Sequence, residues 1–191
     1  MIFTIAGKEL KSLFASPLAW IVLTLIQIIT GYAFLKRLDD FLQIQSQLSQ
    51  MPSPPGVTEL VAAPLFATVA MVLLFAVPLL AMRLIAEERR NQTMTLLTSA
   101  PLSVTEIVLG KFLGMTTFLL LIMALIALMP LSLAASTRLD YGMLASLAIG
   151  LTLLVASFAA VSLYASCLSV HPMAAALGGF SALLAMLLMG E

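Results

Sequence analysis

Charge is what this sequence has least of. Only 9% of its 191 residues are Asp, Glu, Lys or Arg, against about 25% in soluble domains. Nine basic residues balance nine acidic ones, so a nucleic acid finds no electrostatic footing and no nucleic-acid partner is expected. A single cysteine, Cys167, excludes an internal disulfide. With one histidine beside it and no His-Glu-x-x-His pattern, the chain has no metal-site signature. A nucleotide-binding loop is missing too. Gly110-Lys111 has Thr105 where the first glycine belongs and Phe112 where a Ser or Thr must hold magnesium. No catalytic residue, cofactor or metal is therefore expected on this chain. The apolar runs also lack ionisable residues near their centres, which speaks against an ion-coupled carrier or an intramembrane acid–base enzyme. Rings of charge, the mark of many channels, are not legible either.

What is present is apolar length. The chain is 62% hydrophobic with a mean hydropathy of +1.13, which indicates an all-α, polytopic membrane bundle in one transmembrane domain, residues 1–191. Residues 1–16 are amphipathic, and no small-residue cleavage site follows, so a cleavable signal peptide is not expected. Ile2, Ala6, Leu10, Leu13 and Phe14 share one helical face, with Thr4, Lys8, Lys11 and Ser12 opposite. That pattern suits an interfacial helix whose Lys8 and Lys11 meet lipid headgroups. Ser16-Pro17 ends it, because the residue before a proline is pushed out of the α region.

Five spans are expected, over 17–35, 61–82, 111–136, 141–169 and 172–190. Trp20 and Tyr32 lie near the ends of the first, where amphipathic aromatics prefer to sit. The helix is expected to run on past Lys36, Arg37, Asp39 and Asp40 to about Gln50, before Pro52-Ser53-Pro54-Pro55-Gly56 breaks it. Pro78, inside the second span, is either a hinge or a static bend. Gly110 and Gly114 are spaced for close helix contact. Lys8, Lys11, Arg83, Arg89, Arg90 and Lys111 fall on one side and Lys36, Arg37 and Arg138 on the other. This bias puts the N-terminus in the cytoplasm.

Seven of the charges cluster from Arg83 to Lys111, in a segment, 83–103, between the second and third spans. Glu87, Glu88, Arg89 and Arg90 form a mixed-charge collar; Thr93, Met94, Leu96 and Leu97 follow as a short amphipathic stretch ending at Pro101. Ser103-Val104-Thr105-Glu106 reads as a capping box opening the next helix. A short amphipathic element of this kind can lie on lipid or dock in a groove of a soluble partner. The residues fit both.

The string PLLAMRLIAEERRNQTMTLLTSAPLSVTEIVLGKFLG resembles the signature region of permease subunits of type-2 ABC exporters, closest to the gliding-motility and copper-related permeases. The opening KELKSLFASPLAWIVL is similar to that subgroup's N-terminal elbow helix and first span. The resemblance covers nearly the whole chain. It implies an export permease, multi-pass in a bacterial-type inner or plasma membrane, paired with a second copy as a homodimer or pseudo-dimer. Each copy would dock on a cytoplasmic ATP-binding subunit that holds ATP and magnesium. It also implies that 87–99 is the coupling helix, with Glu87, Glu88, Arg89, Arg90, Thr93, Met94, Leu96 and Leu97 as docking residues. The family has six spans against five here, and Gln92-Thr93 stands where Gly-Thr is usual, which implies a different turn. The alternative is a non-transporting membrane anchor or assembly factor that recruits a soluble ATPase.

Overall fold

A computed structural model describes residues 1–48, 55–86, 88, 103–135, 137 and 139–189. Among them the elements are α1 (Ile2–Ala15), α2 (Pro17–Leu48), a π-helical turn (Thr58–Ala62) leading into α3 (Ala63–Leu84), α4 (Val104–Ser132) with a 3-10 turn at Leu133–Ala135, α5 (Tyr141–Leu168) and α6 (Pro172–Leu188).

Local chemistry sets the corners. Ser16 is extended, at φ −86° and ψ 125°, as its neighbour Pro17 demands. The chain turns there from α1 into α2, and the Trp20 indole donates to the Phe14 carbonyl at 2.7 Å, satisfying one of the orphan carbonyls at the end of α1. The Phe14 ring sits edge-on to both Trp20 and Phe118, fastening the corner to α4. At the far end of the bundle Asp140 caps α5, its Oδ1 accepting from Met143 N–H at 3.1 Å. Its own N–H donates to Thr58 Oγ1 at 3.0 Å, so the α4–α5 turn is tied to the start of α3. The π turn ends just before Pro64, which lacks the N–H an ordinary α turn would need there.

Among the described residues four helices are long and apolar enough to cross a membrane, within Pro17–Ser46, Thr58–Leu84, Val104–Ser132 and Tyr141–Leu168. α2, at 32 residues, measures about 48 Å at 1.5 Å per residue, well beyond the ~30 Å of hydrocarbon; past Arg37 it still packs through Phe41 against the cluster of Phe34, Val57, Val61 and Leu65. α6 is shorter at 17 residues.

α3 is the central helix. Leu65, Val69, Leu73, Val77, Leu80 and Ala81 have no exposed surface, and α2, α5 and α6 all pack on it. Pro78 is buried inside α3; a Cβ on Gly179 of α6 would come within 3.3 Å of it, so α6 passes close to the proline. Large apolar side chains on the outside, among them Ile28, Tyr32, Leu153 and Leu177, suit a bundle solvated by lipid. Lipid is as apolar as the core, so close packing rather than water exclusion holds such helices together.

α1 packs chiefly on α4. Its buried residues are Ile5, Glu9 and Leu13, so the face turned to protein differs from the purely apolar face read from the sequence, and it carries a carboxylate.

Candidate functional site

The Ser103 capping box starts α4. Ser103 Oγ accepts from Glu106 N–H at 3.2 Å, and Glu106 Oε2 accepts from Ser103 N–H at 3.1 Å. From that start Ile107, Gly110, Lys111 and Gly114 fall at i, i+3, i+4 and i+7, one stripe of the helix, and all four are buried. The two glycines are where α1 comes in. A Cβ on Gly110 would lie 2.6 Å from Ile5 Cβ, and one on Gly114 would lie 2.8 Å from Glu9 Cβ and 2.9 Å from the Ala6 carbonyl oxygen. The small-xxx-small pair thus seats α1.

This close approach closes over Lys111, whose side chain has no exposed surface. Its Nζ lies 3.1 Å from Glu9 Oε1 of α1 and 2.8 Å from Glu88 Oε1, just beyond α3. Lys8, 58% exposed, approaches the same two oxygens at 3.2 and 3.7 Å. An unpaired buried ammonium carries a desolvation penalty of several kcal/mol. Two carboxylates at hydrogen-bond distance offset it, since opposite charges about 4 Å apart attract by ~4 kcal/mol at an effective dielectric of ~20.

Two more contacts hold the exit of α3. Arg83, in its last turn, donates through Nη1 to Ser16 Oγ at the α1–α2 corner. Ala86 N–H donates to the buried Ser166 Oγ of α5 at 3.1 Å, satisfying a backbone group that could not be left bare. The start of the α3–α4 connection is thereby bound to α1, α4, α5 and the α1–α2 corner.

Of the residues singled out by sequence, the structure brings Glu88 and Lys8 together. Lys11 is exposed on α1 and Pro78 is buried some distance along α3. Glu87, Arg89, Arg90, Thr93, Met94, Leu96 and Leu97 lie outside the described residues. Sequence reasoning missed Glu9 and Ser166, gave Ser16 only the role of ending α1, and treated Lys111 as a charge at the water-facing edge. Glu9 did leave a signal: it stands four residues from both Ile5 and Leu13, a carboxylate in the middle of an apolar helical stripe.

The model of the family described as ABC-2 family transporter protein matches residues 3–190, nearly the entire sequence. No curated protein and no solved structure matches. With a polytopic helical bundle and that match together, the chain belongs to the ABC-2 transporter family.

Proposed function

We propose that this chain is the membrane-spanning permease subunit of an ABC exporter, working as a dimer with ATP-binding subunits in the cytoplasm. In this reading α1 is the interfacial elbow, α2 to α6 are five spans, and the N-terminus is cytoplasmic in a bacterial-type inner membrane. At 17 residues, α6 reaches about 25 Å, the short end of what crosses a bilayer. The resemblance of the opening residues and of the segment after α3 favours the gliding-motility and copper-related subgroup.

The observation that carries the reading is the anchorage of the α3 exit. A motor pressing on residues 87–99 would load a segment whose Glu88 is held by Lys111 and Lys8 and whose preceding residue, Ala86, is held by Ser166. Movement there would pass to α1, α4 and α5 together rather than bend a slack loop. Closure of two ATP-binding subunits would tilt those helices and switch a path along the dimer axis.

The test is reconstitution of the chain with its ATP-binding partner in sealed vesicles. ATP-dependent solute movement, lost on omitting the ATP-binding subunit, is expected. ATPase binding or stimulation with no movement of any solute would favour the membrane anchor instead.

A further inference from the structure

A cleft of about 340 Å³ runs along α2 and against Thr68 of α3. Its α2 wall is one helical stripe: Ile29, Tyr32 and Ala33, then Lys36 and Arg37, then Asp40, at i, i+3, i+4, i+7, i+8 and i+11. The order of residues along the helix therefore fixes which end is apolar and which is charged. Counted at 1.5 Å per residue from Pro17, where α2 begins, Lys36 and Arg37 stand ~30 Å along the helix. That is the thickness of the hydrocarbon. The cleft thus starts among acyl chains at Ile29 and opens at headgroup depth.

Lys36 and Arg37 are exposed, and among the described residues neither has an ion-pair partner. Lys8, Lys111 and Arg83, at the other end of the bundle, all have partners. Asp40, one turn beyond Lys36, brings a single carboxylate to the wall, which leaves it net positive.

We infer that this cleft binds an anionic phospholipid, with the phosphodiester at Lys36 and Arg37. Arg37 presents a fork of N–H donors that matches phosphate oxygens, and Lys36 presents an ammonium point charge. Tyr32, one turn deeper than Lys36, adds a phenolic donor. The Thr68 hydroxyl donates to the Pro64 carbonyl at 2.9 Å, so α3 supplies a wall and the donors come from α2. Ile29 and Ala33 receive the first methylenes, which selects the lipid over its soluble headgroup. A lipid of net charge −1 neutralises the wall. A zwitterionic lipid leaves it positive and brings another cation beside Lys36 and Arg37.

The test is native mass spectrometry of the full-length chain released from nanodiscs of equimolar phosphatidylglycerol, phosphatidylethanolamine and phosphatidylcholine. Retained phosphatidylglycerol is expected, preferred over each of the others by about fivefold, the ratio for one net cation at a charged surface. Lys36→Gln/Arg37→Gln, both at exposed positions, is expected to erase that preference without changing the melting temperature in detergent alone. Ile29→Trp fills the apolar end from a half-exposed position and leaves both cations in place; retention is expected to fall about fivefold. Glycerophosphoglycerol, the soluble counterpart, is expected to give no thermal stabilisation at concentrations where the lipid does. Equal retention of the three lipids, or an unchanged preference on the double variant, overturns the assignment. So does undiminished retention on Ile29→Trp, which would reduce the site to surface charge, or stabilisation by the soluble compound equal to the lipid's. None of these readouts involves an ATP-binding subunit, so the inference stands or falls apart from the transport reading.

Discussion

Lys111 Nζ and Glu88 Oε1 lie 2.8 Å apart, joining the exit of α3 to the buried stripe of α4. Glu9 of α1 completes the node from the other side at 3.1 Å. A lysine with no exposed surface is tolerable only with both carboxylates in place.

Lys111→Met should therefore destabilise the protein by ~3–5 kcal/mol, because it leaves two carboxylates facing an apolar side chain. Adding Glu9→Gln and Glu88→Gln to it should recover most of that loss, since a neutral cluster of similar volume has no charge to desolvate. Thermal unfolding in detergent, on the single and triple variants, measures both.

Gly114→Ala should lower stability by ~1–3 kcal/mol, as overpacking typically does, because its new Cβ meets Glu9 Cβ and the Ala6 carbonyl at under 3 Å. Gly178→Ala is the control. Nothing lies within 4 Å of a Cβ there, and alanine in a helix should gain ~0.5–1 kcal/mol over glycine. Parallel melting curves separate the two.

Trp20→Phe keeps an aromatic ring at the α1–α2 corner but removes the 2.7 Å bond to the Phe14 carbonyl. The loss should be ~0.5–1.5 kcal/mol, the net worth of one hydrogen bond. Equal melting temperatures for the two chains would show that the corner does not depend on the indole donor.

Pro78→Ala bears on the transport reading. An alanine supplies the helical N–H that proline lacks and should stiffen α3 where it passes Gly179. Binding of the ATP-binding subunit should persist while ATP-driven solute movement drops by at least about tenfold, or ~1.4 kcal/mol of barrier. Unchanged transport by this variant would make the proline a static bend.

Features written in neighbouring residues were legible before the structure. Ser16-Pro17 shows the break between α1 and α2, and Ser103 with Glu106 shows the start of α4. Each depends on contacts within a few positions, where backbone sterics and capping decide the outcome. The charge node is different. Glu9 and Lys111 stand 102 positions apart, and their meeting depends on α1 choosing α4 as its partner. The Gly110/Gly114 spacing announced a close helix contact but carried no name for the helix that makes it. Glu9 is the residue that could have supplied one, since a carboxylate among Ile5 and Leu13 needs a buried cation. Ser166 gave no such sign, because serines abound in these helices and only the fold puts one opposite the Ala86 amide.

The central claim is that a separate motor grips residues 87–99. Co-purification of the ATP-binding subunit with the wild-type chain and with Met94→Ala/Leu97→Ala, at matched expression, tests it most directly. The account predicts that the double variant folds normally and recovers at most about a tenth of the partner, a loss of ~1.4 kcal/mol or more in affinity. Full recovery of the partner on the double variant would contradict it.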